Sequence, residues 1–135
     1  MLFRSKACDS IYHFAWDDFC DWYLELSKSA FTQGGVQAEN AQAVIGHVLD
    51  NLLRLLHPVM PFITEALWRK LTGGESLVIA AWPEVQRARI DEKTNAAMEE
   101  VKALITEVRR FRNDQGVKPS APIDRKSTRL NSSHT

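Results

Sequence analysis

The chain has 135 residues, enough for one domain with a real core. At 44% hydrophobic and 25% charged it reads as an ordinary globular protein, and no apolar run approaches the ~20 residues that cross a bilayer. Cys8 and Cys20 form neither a CxxC pair nor a disulfide framework and the start lacks a signal-peptide core, so a reduced, cytoplasmic setting is expected.

The first predicted helix runs from about Cys8 to Ser29. At about 100° per residue, Ile11, Tyr12, Ala15, Trp16, Phe19, Cys20, Trp22, Tyr23 and Leu26 share one half of its surface. His13, Asp17, Asp18, Asp21, Glu25 and Lys28 occupy the other half, and only Phe14 and Leu24 break the pattern. Such a broad apolar arc predicts two neighbours rather than one. Residues 29–37, with Gly34-Gly35, read as a loop. A second helix is expected from Ala38 to Leu56, with Ala41, Val44, Ile45, Val48, Leu49, Leu52, Leu53, Leu55 and Leu56 at helical spacing. Asp50 and Arg54 read as a surface pair on its polar side, and Gly46 as a place where a neighbouring helix comes close.

His57-Pro58 should stop that helix, because proline has no N–H and disfavours helical geometry in the residue before it. Pro61 can begin the next, where a missing N–H costs nothing. The expected apolar face of this third helix is Phe62, Ile63, Ala66, Leu67, Trp68 and Leu71, with Glu65 near its positive end and Gly73-Gly74 as its left-handed cap. Residues 76–83 read as an extended strap. A fourth helix is expected from near Asp91 to near Asn113, striped by Ala97, Val101, Leu104, Ile105, Val108 and Phe111, followed by a rigid Lys118-Pro119-Ser120-Ala121-Pro122 exit. The predicted class is all-α: an antiparallel helical bundle with a short extended strap.

The sequence carries no catalytic constellation. His13 and Asp17 have metal-ligand spacing without a third ligand, and Cys20 sits on the apolar arc as a buried small residue. His57 falls at a helix end, where an imidazole can bond free carbonyls, and neither glycine pair has the lysine and hydroxyl of a phosphate-binding loop. Formal charge is zero but uneven. Between Arg109 and Arg129 there are seven basic residues (Arg109, Arg110, Arg112, Lys118, Arg125, Lys126, Arg129) against Asp114 and Asp124, a net +5 that leaves −5 elsewhere. A basic end of this kind suits a nucleic-acid contact, or simply complements a helix dipole.

Three stretches carry a family resemblance. The corner His57-Pro58-Val59-Met60-Pro61-Phe62, following Leu52-Leu53-Arg54-Leu55-Leu56, resembles that of the anticodon-binding helical domain of class I aminoacyl-tRNA synthetases for valine, isoleucine and leucine. Residues 11–28, centred on Cys20-Asp21-Trp22-Tyr23, are most similar to the valine members. So is the run Glu107-Val108-Arg109-Arg110-Phe111-Arg112-Asn113-Asp114-Gln115-Gly116-Val117-Lys118-Pro119. The resemblance implies a tRNA-binding module, with valine-accepting tRNA and the remaining synthetase domains as partners. It also implies ATP and magnesium in the full-length enzyme. The His-x-Gly-His and Lys-Met-Ser-Lys-Ser signatures that handle ATP are not in this sequence, so no catalytic residue, metal site or cofactor is expected here.

Lys28, Arg54, Arg109, Arg110 and Arg112 are the candidate RNA contacts, while His57, Pro58, Pro61 and Phe62 form a structural corner. The expected organisation is a non-native start at 1–5, a bundle at 6–113 lacking its first helix, a linker at 114–123 and a non-native or disordered tail at 124–135. Alternatives are the corresponding domain of an isoleucine or leucine enzyme, or a helical scaffold that binds no RNA.

Overall fold

A computed structural model describes residues 2–122, with side chains from Lys6 onward, so the expected tail at 124–135 lies outside the described residues. The chain divides into two compact units, Met1–Val85 and Gln86–Thr135. Helices dominate both, and no strand occurs among the described residues, as the apolar periodicity predicted.

The first unit opens with α1 (Leu2–His13), continues as a π-helix (Phe14–Leu24) and ends as α2 (Glu25–Gln33). His13, Leu24 and Glu25 at the joins all keep right-handed helical dihedrals, so the three segments form one unbroken rod. The π-helix bonds i to i+5 and turns less per residue than an α-helix. Its residues Ala15, Phe19 and Tyr23, four apart, are buried or half-buried, and Ile11 of α1 and Ser27 of α2 continue the row. The apolar arc drawn at α-helical pitch needs correction here. Tyr12 and Trp16 stay exposed at 58% and 57%, and Cys20 is half-buried rather than buried. Phe19 and Tyr23, four apart, stack with ring centroids 6.1 Å apart.

The loop expected at 29–37 shrinks to a single residue. Gly34 lies at φ 71°, ψ −165°, and α3 (Gly35–Leu56) starts immediately after it. That region of backbone space is essentially closed to side-chain-bearing residues, which is why one glycine suffices to reverse the chain. α3 packs against α1 and α2, and its Ala41 and Leu52 are buried. Gly46 does not mark a close approach, since a Cβ there would meet nothing within 4 Å.

At the end of α3, His57 keeps helical dihedrals (φ −53°, ψ −41°) despite preceding a proline, and its N–H bonds the Leu53 carbonyl at 3.0 Å. The turn then closes on one acceptor: the N–H groups of Val59 and Met60 both reach the Leu56 carbonyl at 2.9 Å. α4 (Pro61–Thr72) begins with proline in its first turn and ends at Gly73, in the left-handed conformation at φ 69°, as predicted. Gly74 has a separate duty. A Cβ there would collide with the Trp68 ring, so its absence admits the indole.

The apolar face expected for α4 is the wrong one. Phe62, Ile63, Leu67 and Leu71 point to solvent, with Phe62 90% exposed, while Thr64 and Trp68 are buried at 1% and 7%. Of the residues assigned to that face only Trp68 faces the core, with Leu53 of α3 and Leu77 of the strap. The strap itself contains a 3-10 turn (Leu77–Ile79) between the extended residues Ser76 and Ala80.

The second unit is a 3-10 turn (Arg87–Arg89), then α5 (Glu92–Asp114) and its exit. Asp91 caps α5, its carboxylate accepting from the N–H groups of Lys93 and Thr94. The stripe expected to be core is not buried: no residue of α5 is, and Leu104 and Phe111 are 66% and 64% exposed.

Candidate nucleic-acid interface

The five candidate cations fall into two kinds. Lys28 on α2 and Arg110 on α5 hold nearby glutamates, with Lys28 Nζ 2.6 Å from Glu25 and Arg110 Nη1 3.5 Å from Glu107, and their side chains are 69% and 71% exposed. Exposed pairs of this sort contribute about 0–1 kcal/mol, so exchanging the glutamate for a phosphate costs little. Arg109, also exposed, lines an open groove of about 760 Å³ with Leu104, Ile105, Val108 and Val117.

Arg54 and Arg112 are held by the fold. Arg54 Nε donates to Asp50 Oδ1 at 2.9 Å, and Nη1 donates to the Ala81 carbonyl at 2.8 Å. Its guanidinium lies over the Trp68 ring, 5.5 Å from the centroid. Trp68 Nε1 donates to the same Asp50 oxygen at 2.6 Å. The Asp50–Arg54 pair, expected as a surface pair, is thus a half-buried junction joining α3, α4 and the strap. Its side chains are only 27% and 22% exposed. Arg112 Nη2 donates to the carbonyls of Lys118, Pro119 and Ala121 at 2.7, 3.0 and 2.7 Å, folding the exit segment back on α5.

In the first unit Lys28 lies near the Gly34 reversal and Arg54 at the far end of α3, on the order of 20 Å apart at 1.5 Å rise per residue. They do not form one cluster. Arg109, Arg110 and Arg112 share α5 in the second unit.

The structural corner has its own chemistry. Thr64 Oγ1 donates to the Met60 carbonyl at 2.7 Å, so its contact with His57 Nδ1 at 2.9 Å requires the imidazole to carry its proton on Nδ1. His57 therefore bonds a buried hydroxyl, not the free helix-end carbonyls anticipated for it. Glu65 accepts the Leu77 N–H at 2.8 Å, tying the strap to α4 rather than serving the helix dipole alone. Beside this corner a cavity of about 190 Å³ is lined by Arg54, His57, Leu77 and Trp82 among others. Only the Asp50/Arg54 spacing hinted at this network in the sequence. The partners Trp68 and Ala81 lie too far along the chain for spacing to reveal.

Two acid–base features are local. The hydrogen bond that His13 donates to Asp17, then the nearby Asp9 charge, raises the pKa of this exposed imidazole. The Thr94 hydroxyl, then backbone N–H groups, lower that of Asp91 at the α5 cap. His13 and its two aspartates lie on successive turns of one helix, and among the described residues no group of three or more His, Cys, Asp or Glu could hold a metal ion. Both glycine pairs serve helix ends and the Trp68 ring, so neither is a nucleotide cradle.

A family model described as the anticodon-binding domain of tRNA ligase matches residues 4–127. The chain belongs to that family. It is 52% identical over 121 residues to a valine–tRNA ligase of Nocardia farcinica, covering 90% of this chain and 14% of the relative. Valine–tRNA ligases of Streptomyces coelicolor (52% over 124 residues; 92% and 14%) and Mycobacterium tuberculosis strain H37Rv (56% over 113 residues; 84% and 12%) are similarly related. The chain thus spans about one seventh of the length of these relatives. The helical fold, the domain family and the likeness to the valine members all follow the sequence-based expectation. Among the described residues no helix is long and apolar enough to cross a membrane.

Proposed function

We propose that this chain is the anticodon-arm-binding module of a cytoplasmic valine–tRNA ligase, recognising valine-accepting tRNA while the chemistry occurs in other domains. The observation that carries the reading is the family match over residues 4–127 together with identities above one half to valine–tRNA ligases. ATP and magnesium belong, on this reading, to the domains that hold the nucleotide signatures. Residues 6–113 form the binding module, and 114–123 link it onward.

Among the candidate cations, Lys28, Arg109 and Arg110 contact phosphate. All three are exposed, and exposed ion pairs exchange partners cheaply. Arg54 and Arg112 act indirectly, by holding the strap and the α5 exit. Bases unstacked in the anticodon loop supply the sequence-dependent part of recognition.

A tRNA titration at two salt concentrations tests this. Log affinity should fall with log salt by about 0.9 per duplex phosphate contact, and Lys28→Ala, Arg109→Ala and Arg110→Ala should each lower that slope by about one contact. Weak binding even at low salt would leave a helical scaffold without an RNA role. Equal affinity for valine tRNA and an anticodon-swapped version would remove the valine-specific part of the reading.

A further inference from the structure

The strap of the first unit is pinned at three points. Leu77 is buried against Leu53 and Trp68, Glu65 accepts the Leu77 N–H at 2.8 Å, and Arg54 Nη1 donates to the Ala81 carbonyl at 2.8 Å. Trp82 follows the last of these pins directly, yet it is 60% exposed. It stands in the wall of the cavity of about 190 Å³, with Arg54, His57, Pro58 and Leu77. A large aromatic on a rigid strap meets a partner without first losing much chain entropy.

The size and chemistry of this cavity select its occupant. Sites for drug-sized ligands run from about 300 to 1,000 Å³, so this one admits a single ring and little more. His57 carries its proton on Nδ1, which serves Thr64, so Nε2 keeps a lone pair that can only accept. An apolar side chain in the cavity would leave that lone pair dry and unpaired. A phosphate would be repelled by it. A nucleobase avoids both faults, because its flat face stacks on an indole and its edge presents an N–H for the imidazole nitrogen to accept.

Resting on the reading of this chain as an anticodon-arm-binding module, we propose that one unstacked base of the bound RNA enters this cavity, stacking on Trp82 and donating to His57 Nε2. Arg54 is a positioning residue there, because its bond to Ala81 fixes the strap just before Trp82. The role differs from that of Lys28, Arg109 and Arg110: the cavity holds a base and takes no phosphate.

The test titrates the full chain with valine tRNA at two salt concentrations, with and without Trp82→Ala. Losing one base stack should weaken binding about 5- to 150-fold. No phosphate contact goes with it, so the salt slope should stay unchanged. Trp82→Phe keeps a ring and should restore most of the affinity. The melting temperature of Trp82→Ala should match that of the parent, since the indole is mostly exposed. Unchanged affinity, a slope lowered by a whole phosphate contact, or a Trp82→Phe protein as weak as Trp82→Ala would each overturn the proposal. A large fall in melting temperature would do so too, by making Trp82 a structural residue. The indole N–H resonance that Trp82→Phe removes should shift when an RNA hairpin is added, and should not shift with the same hairpin carrying an abasic loop. Equal shifts would also overturn the proposal. If the parent binds valine tRNA and these results fail, only the base site is lost. If the parent binds no RNA, the module reading falls and the base site falls with it.

Discussion

The corner of the first unit and the long helix of the second show two ways to hold a helix. Around α4, half-buried polar groups find partners distant in sequence: Asp50 meets Trp68, Arg54 meets Ala81 and Glu65 meets Leu77. Along α5 local contacts recur. Asp91 caps its start, Glu99 pairs with Lys102 and Glu107 with Arg110, and Arg112 gathers the exit segment. A helix of 23 residues is long enough for such local terms to add up. The lesson is that the corner is specified by tertiary contacts, so damage there spreads across three elements, whereas damage in α5 stays near its source.

The sharpest way to break that comparison is Trp68→Ala. It removes the centre of the cluster with Leu53 and Leu77 and strands the Asp50–Arg54 pair, and should cost about 3–5 kcal/mol in chemical denaturation. Phe111→Ala, on a side chain 64% exposed, should change stability far less; equal losses would erase the distinction between the units. Next in size is Gly34→Ala, which forces a side chain into a glycine-only backbone region and should cost about 1–3 kcal/mol, read as an earlier thermal unfolding of the α2–α3 hairpin. Gly46→Ala should act in the opposite direction. With open space at its Cβ and helical backbone around it, alanine should stabilise by about 0.5–1 kcal/mol, measurable as a raised denaturant midpoint.

The smallest effect concerns pH. The Asp17 hydrogen bond and the Asp9 charge raise the pKa of His13 above its unfolded value. Its contribution to stability is therefore fully present below about pH 6.5 and is lost as pH rises through the folded value. His13 is fully exposed, so the difference between wild type and His13→Gln should be slight at about pH 5.5, vanish at about pH 8 and shrink with added salt. A difference that grows with pH would reverse the assignment.

The helices were legible in the sequence because their determinants are local. Apolar spacing gave α3, proline placed the start of α4, Gly73 its end and Asp91 the start of α5. The candidate cations could be named from charge alone, but which of them are exposed and which are held by carbonyls could not. Arg54 and Arg110 look alike as letters and differ in the structure by their neighbours.

The sequence by itself determined that this chain is all-helical, where it bends, and which family it resembles. Those features depend on residues within a turn or two of each other. Only the tertiary structure decided which side of α4 faces inward. Hydrophobicity favoured Phe62, Ile63 and Leu67, yet hydrogen bonds to His57, Leu77 and Asp50 hold Thr64, Glu65 and Trp68 inward. The π-helical stretch is the other case: Trp16 within it is exposed where α-helical pitch put it on the apolar arc, and period counting at α-helical pitch cannot register a change of pitch.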